Sequence, residues 1–346
     1  MAPEATRNLV MFSARLGGVC VISLGLIALA PVAYGASLSM VGSAADAIEF
    51  RQLQQPFALR LLPEKSGGKL SVDLQPASAS IDSNELLARL STGKLDFVAL
   101  SAAQWRGIDG AVELAELAGI AFDLPRARTL ADGMRPGLER TLSSKHGLKL
   151  LAFTSAQAQV LYCRSAFKSI AEIKGRRVRV DGAMLQGLMQ ALGATAVPMN
   201  VDAVAAGLRA GAIDCAVGGT MQGNEARWYE HSSHLYSLPL AWTLNLYLAD
   251  ERNWSRLEGT NRQVLLSEFR ALEQRTWESN AIYTREGINC NAGVEPCKGG
   301  ARGKMNIVIG SDADRALLLR LSNDTVLPQW SQRCGTGCAE LLRLIR

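Results

Sequence analysis

One arginine stands at the mouth of a short strand. In the segment from Ile173 to Thr220, the run RRVRV carries Arg179 near its end and a helix follows at once. A guanidinium presents a planar fork of N–H donors that matches a carboxylate edge, and open α/β sheets bind small molecules at their strand ends. Ser101 and Gln104, with Trp105, follow directly after another strand, Leu95 to Leu100, where a ligand would also lie. Other groups promise less chemistry. His231 and His234 are three apart in HSSHLY, but no acidic or cysteine ligand stands at metal-binding spacing, so they read as surface polar residues. Asp96 and Asp214 occupy helix–strand junctions, which suits a turn role better than paired acid–base work. The chain has no G-x-S-x-G elbow, P-loop, G-x-G-x-x-G or H-E-x-x-H.

The elements that must position Arg179 form a β-α-β-α-β unit. A helix from Ala183 to Leu192 stops at Gly193, an apolar run Thr195 to Met199 leads into a second helix, and that one stops at Gly211 before the buried strand AIDCAV. Glycine is favoured past a helix end because it takes positive φ without a Cβ penalty. The junction recurs earlier: Leu90-Ser-Thr-Gly93-Lys-Leu95-Asp96 aligns with Leu208-Arg-Ala-Gly211-Ala-Ile213-Asp214 as L-x-x-G-x-[LI]-D. Two similar α/β lobes in one chain make the cleft between them the natural ligand site.

The N-terminus reads as an export signal. Arg7 and Arg15 precede or flank an apolar stretch, Leu16 to Ala30, and Ala33-Tyr34-Gly35 puts small residues at −3 and −1, so cleavage is expected before Ala36. The apolar core of about 15 residues is short of the ~20 a spanning helix needs. The remaining chain, roughly 310 residues, suits two domains. A formal net charge of +5 without Lys/Arg blocks argues against nucleic acid. Export permits disulfides among Cys163, Cys215, Cys290, Cys297, Cys334 and Cys338. The close pairs Cys290/Cys297 and Cys334/Cys338 are either local staples or partners of each other; Cys163 and Cys215 are buried thiols or a third bridge. Neither close spacing is C-x-x-C, and with only three histidines in the chain no zinc site is expected.

Along the chain, a strand at Ser37 to Val41 precedes a long amphipathic helix, about Ala45 to Lys65, that Pro56 kinks or divides. Strand Lys69 to Gln75, helix Ser83 to Ser91 and an apolar, irregular stretch over 110–124 follow, then one or two helices from Pro125 to His146. Leu148 to Phe153 crosses toward the second lobe, which begins near Ala156 and runs to Pro239, and Leu244 to Ala249 returns. A long helix, about Gly259 to Glu286, has one face marked by Leu265, Phe269, Leu272 and Ile282; at roughly 40 Å it reaches both lobes. A strand Met305 to Ile309 and a helix Asp312 to Leu327 close the chain. The expected partition is 36–155 with about 240–280 as lobe I, and 156–239 with about 281–346 as lobe II.

In order and spacing, EKSGGKLSVDLQPA (64–77), ELLARLSTGKLD (85–96), HGLKLLAF (146–153), FKSIAEIKGRRVRV (167–180), LGATAVPMNVDAV (192–204) and LRAGAIDC (208–215) resemble the periplasmic solute-binding (DctP-type) receptors of tripartite ATP-independent periplasmic (TRAP) transporters. The C-terminal IVIGSDADRALLLRL and VLPQWSQRCG resemble a subgroup bearing cysteines. The resemblance implies an α/β, two-lobed periplasmic solute-binding protein with a central cleft, crossing strands and a lobe-spanning helix. It implies a small organic acid as ligand, a membrane permease as partner, no cofactor and no chemistry on the ligand; the receptor is expected to be monomeric. The family's hallmark arginine, last in G-x-K-[IV]-R, grips the ligand carboxylate, and Arg179 holds that place in Gly175-Arg-Arg-Val-Arg179. The chain departs from the pattern where many members have D-G-x-E-[NW]: it has Asp214-Cys-Ala-Val-Gly218-Gly219-Thr220. A second ligand-binding arginine after the GLKLLAF-like strand is replaced by Gln157 and Gln159, and an aromatic often found after P-M is Val201. The expected ligand contacts are Arg179, Gln159, Gly218 and Gly219, with Ser101 and Gln104 at the strand end and Trp242 and Asn245 on their position near the return crossing. The alternatives are an ABC-type periplasmic receptor, a secreted enzyme using a cysteine or the HSSH pair, and a ligand-presenting partner of a membrane sensor.

Overall fold

The computed structural model describes residues 36–78, 81–335 and 338–345. The expected leader, 1–35, lies outside them. The strands are β1 (Ala36–Ala44), β2 (Leu70–Ala77), β3 (Phe97–Ser101), β4 (Leu148–Ser155), β5 (Gln159–Cys163), β6 (Arg177–Val180), β7 (Thr195–Pro198), β8 (Cys215–Gly219), β9 (His234–Ala241), β10 (Leu244–Asp250) and β11 (Asn306–Val308). They form two mixed sheets, ordered β2-β1-β3-β10-β4 and β11-β9-β5-β8-β6-β7. The chain passes between sheets from β4 to β5 and back from β9 to β10, and the amide of Ala156 donates to the carbonyl of Thr243 at 2.7 Å where the two crossings meet.

The repeated L-x-x-G-x-[LI]-D has a physical basis. Gly93 and Gly211 both hold positive φ, 72° and 71°, after their helices. The carboxylate of Asp96 accepts from the amide and hydroxyl of Ser39 at 2.8 and 2.9 Å. Asp214 likewise accepts from the amide of Arg177 at 2.8 Å and from its guanidinium. Ser39 precedes Met40, paired with Phe97 in the parallel β1–β3 ladder, as Arg177 precedes Val178, paired with Cys215 in the parallel β6–β8 ladder. Each aspartate thus pins the start of its own strand to the parallel neighbour, and Val41 of the first sheet stands where Arg179 stands in the second.

The long helix runs Gly259–Ala292, ending at Gly293 with φ 79°. At 1.5 Å per residue it is about 50 Å long. Leu265, Phe269 and Leu272 bury against the first sheet. Farther along, the packed stripe turns polar. Glu273 Oε2 accepts from the Phe153 amide at 2.8 Å, Trp277 Nε1 donates to the Phe153 carbonyl at 2.9 Å, and Asn280 Nδ2 donates to the Ser155 carbonyl at 2.5 Å. Asn291 Nδ2 reaches the Thr220 carbonyl at 2.9 Å. The helix therefore rides the β4–β5 crossing on hydrogen bonds. Ile282, expected on its apolar face, is 53 % exposed, because it lies about 100° around the helix from the Leu265–Leu272 stripe at 3.6 residues per turn.

Two prolines shape the other helices. Pro56 stands between π-helical turns Phe50–Gln54 and Phe57–Leu61, and the expected helix Asp312–Leu327 instead ends at Leu321 and continues through the π-helical turn Ser322–Val326 into Leu327–Cys334, with Pro328 in its first turn. A proline has no N–H to give to the preceding turn, and a wide turn absorbs the mismatch. The 110–124 stretch forms short turns, Gly110–Glu113 and Leu114–Glu116, and Leu124–His146 is one helix despite Pro136.

The cysteines form three bridges: Cys163–Cys215, Cys290–Cys297 and Cys334–Cys338. The first joins directly facing residues of antiparallel β5 and β8.

Candidate functional site

Arg179 is only 2 % exposed. Its strand lies between parallel β7 and β8, and both neighbours offer a carbonyl to it. Nε donates to Met199 O at 2.8 Å and Nη1 to Val217 O at 2.9 Å. Val178 and Val180 are fully buried in the core, so strand alternation sends Arg179 to the other face. Asp181 Oδ2 stands 3.6 Å from Nη2, beyond hydrogen-bond range. Nη2 is itself sealed from solvent and has no acceptor. Burial lowers the basicity of the guanidinium, against the opposing charge of Asp181. A buried donor of a charged group without an acceptor is costly, so this atom is poised to take one.

A cavity of about 350 Å³ opens between the turn after β1 and the ends of β5 and β8; Asp46, Glu49, Gln157, Gln159, Gly219 and Trp228 are among its lining residues. The turn is held by Gln54, which accepts from the Ser43 amide at 2.8 Å and donates to Tyr247 Oη at 2.8 Å. Gly42 makes room for it, since a Cβ there would stand 2.3 Å from Gln54 Oε1. Part of Glu49 reaches solvent, but its Oε1 is sealed and unpartnered. Burial pushes the Glu49 carboxyl up to about 7, and the charge of Glu225 adds to that while a hydrogen bond with Asn280 opposes it. Gln157 Oε1 accepts from the amides of Met221 and Gln222 at 2.8 and 3.2 Å, capping the helix Thr220–Glu225.

Of the residues expected from the sequence, Gln159 and Gly219 line this cavity. Gly218 lies one residue deeper in β8, where a Cβ would meet the Trp228 ring at 2.4 Å; its lack of a side chain admits the indole. Ser101, Gln104, Trp242 and Asn245 gather around the end of the first sheet and do not line the cavity. Ser101 and Gln104 bond each other at the end of β3, the Ser101 amide donating to Gln104 Oε1 at 2.9 Å. Asn245 pairs with Ser101 across the β3–β10 ladder. Trp242 is buried with Nε1 unpartnered. Arg179 is not among the lining residues either; the two carbonyls it donates to, Met199 and Val217, lie two residues before the lining residues Val201 and Gly219.

Sequence reasoning missed Asp46, Glu49 and Glu116. The repeat itself could have found the first two, because the end of β1 corresponds to the end of β6. Glu116 sits in the apolar 110–124 stretch with 0 % exposure. Its Oε2 accepts from the Met184 amide at 2.6 Å, at the start of the helix Ala183–Ala191. Burial pushes this carboxyl to about 8, and the charges of Asp181 and Glu113 act in the same direction against the Met184 hydrogen bond. A Cβ on Gly182 would collide with it, at 1.9 Å from Oε1. Among the described residues no group of His, Cys, Asp and Glu could hold a metal ion, and His234 Nδ1 pairs with the neighbouring Ser233 hydroxyl at 2.8 Å.

Two mixed sheets joined by crossing strands, a helix bracing the crossing and a buried arginine at the strand ends of one sheet define the class of two-lobed α/β solute receptors. Residues 42–289 match the family described as bacterial extracellular solute-binding protein, family 7, or DctP. The chain belongs to that family, a family of receptors rather than of enzymes. Among solved structures, it is similar to DctP7, a Bordetella pertussis extracytoplasmic solute receptor binding pyroglutamic acid, at 20% identity and a TM-score of 0.79 over 90% of this chain and 100% of that one. A TRAP periplasmic solute-binding protein from Desulfovibrio salexigens with bound orotic acid matches at 17% identity and TM-score 0.78, over 89% and 97%. One from Shewanella oneidensis with bound succinate matches at 18% identity and TM-score 0.76, over 90% and 100%. The family match favours the DctP reading over the ABC-type one.

Proposed function

We propose that this chain is the periplasmic receptor of a TRAP transporter, exported by a leader cleaved before Ala36, and that it binds one small organic acid between two lobes and delivers it to the membrane permease. The observation that carries this reading is the Nη2 of Arg179, the one nitrogen of a buried cation left without a hydrogen-bond partner while backbone carbonyls hold the other two. A ligand carboxylate supplies the missing acceptor, and the charge-assisted bond gains strength from burial. Pyroglutamate, orotate and succinate, the ligands of the three similar receptors, all carry that group.

In this reading Gln159 and Gly219 contact the solute directly, and Gly218 shapes the floor through Trp228. Ser101, Gln104, Trp242 and Asn245 meet it from lobe I on hinged closure. Lobe I comprises 36–155 and about 240–280; lobe II comprises 156–239 and about 281–346. The receptor acts as a monomer, without cofactor and without altering the solute. Thermal-shift screening of the mature protein against organic acids tests this. A true ligand at 100 times its Kd adds about 2.7 kcal/mol of stability by mass action; a protein that no carboxylate stabilises contradicts the reading.

A further inference from the structure

We propose that Asp181 is a built-in competitor for Arg179: its carboxylate attends the guanidinium until the solute's carboxylate displaces it, and so sets how tightly the receptor holds an acid. The inference rests on the receptor reading above and adds a residue that weakens binding. It begins from a contrast within one strand. Arg177 and Arg179 lie two apart on β6, and each has an aspartate beside it. Asp214 closes on Arg177 with two guanidinium bonds, at 2.8 and 3.1 Å. Asp181 Oδ2 stops 3.6 Å from Nη2 of Arg179, outside hydrogen-bond range, and Nη2 keeps no acceptor. The first pair is a finished structural bridge; the second is a loose counter-ion.

The backbone around Asp181 is fixed while its side chain is not. On one side the Val180 carbonyl accepts from the Met199 amide at 3.3 Å, and on the other the Gly182 carbonyl accepts from the Gln186 amide at 3.1 Å. Behind the turn, Glu116 Oε2 holds the Met184 amide at 2.6 Å. The Asp181 side chain itself is 58 % exposed and has water to turn into, so its displacement breaks no backbone bond. Its charge nevertheless acts on the site: burial lowers the basicity of Arg179, and Asp181 is the charge that opposes this.

The separation of the two competing anions is bounded. An acceptor at an ordinary hydrogen-bond distance from Nη2 lies no more than about 6.5 Å from the present place of Asp181 Oδ2. Like charges that close weaken binding about threefold even at the dielectric of water, and tens of fold at the effective dielectric of a protein surface. If Asp181 stays, it repels the solute. If it swings away, its attraction to the guanidinium is given up. Both routes carry the same sign.

Calorimetry at neutral pH and low ionic strength on the purified protein, with succinate, orotate and pyroglutamate as probes, decides the matter. The parent is compared with Asp181→Asn, which keeps the shape and removes the charge, and with Asp181→Glu, which keeps the charge. For a probe that binds, Asp181→Asn is expected to bind about threefold or more tightly than the parent, and Asp181→Glu no more tightly than the parent. Damage to the fold weakens binding, so a gain separates the charge from a structural role. An Asp181→Asn variant that binds equally or more weakly, or an Asp181→Glu variant that gains as much, overturns the inference. If Arg179→Ala abolishes binding while Asp181→Asn gains nothing, the receptor reading stands and the competitor falls. Binding that Arg179→Ala leaves untouched removes the receptor reading itself, and probes that bind neither the parent nor Asp181→Asn remove both.

Discussion

Nη1 of Arg179 donates to the carbonyl of Val217 at 2.9 Å, across the parallel pair β6–β8, and fixes the guanidinium before any ligand arrives. The Nε bond to Met199 at 2.8 Å fixes it from the other side. A long side chain held this way has already lost the rotamer freedom that binding would otherwise have to remove. Of its three nitrogens Nη2 alone has no hydrogen-bond partner, and in the proposed function the strand ends of the second sheet aim it at the solute's carboxylate.

The absence of a side chain at Gly218 is tied to Trp228. Gly218→Ala places a Cβ 2.4 Å from that ring, with Trp228 fully buried. Overpacking of this kind costs about 1–3 kcal/mol, so denaturant unfolding should show a lower midpoint with an unchanged slope. A variant as stable as the parent would show that the indole moves freely.

Glu116 makes stability depend on pH. Its folded value, about 8, lies above the ordinary 4.5 of the unfolded chain. The folded state therefore binds the proton more tightly, and this contribution is full below pH 4.5 and lost as pH rises through about 8. Glu49, at about 7, acts with the same sign. Melting temperature should fall between about pH 5 and 9, and Glu116→Gln should flatten that fall and leave the variant the more stable protein at the alkaline end. An identical slope in parent and variant would contradict the burial argument.

The paired aspartates predict a coupling. Asp96→Ala removes the acceptor of both the Ser39 amide and its hydroxyl. The cost should be about 1–2 kcal/mol. A double-mutant cycle with Ser39→Ala should return a coupling of about 0.5 kcal/mol or more; strict additivity would mean that the hydroxyl contributes nothing to the pin.

The cross-strand bridge Cys163–Cys215 closes a loop with a sequence separation of 52. Replacing both cysteines by alanine should lower stability by about 2–4 kcal/mol in chemical denaturation. No loss would place the constraint in other contacts between β5 and β8.

Much of this was legible in the residues. The motif at Gly93–Asp96 and Gly211–Asp214 announced two related halves, and each half proved to use its aspartate in the same way. Arg179 could be singled out because it lies between Val178 and Val180 at the end of a strand and holds the place of the family's arginine. What escaped was polar and buried. Along the long helix, Thr276, Asn280 and Asn291 continue the packed face that the leucines begin, and hydrophobic periodicity is blind to them. Glu116 was hidden for the opposite reason: one acid within an apolar stretch reads as noise until its partner, the Met184 amide, is brought to it from 68 positions away. Glu49 lay in a helix start that looked merely amphipathic, and its orphaned oxygen exists only in three dimensions.

The central claim is that Arg179 holds the carboxylate of the solute. Isothermal titration of the mature protein with its best-binding organic acid, beside Arg179→Ala and Arg179→Lys, tests it most directly. The account predicts that the alanine variant, folded by circular dichroism, loses binding by at least about a hundredfold and that lysine, lacking the fork, restores little of it. Affinity unchanged in Arg179→Ala would contradict the account.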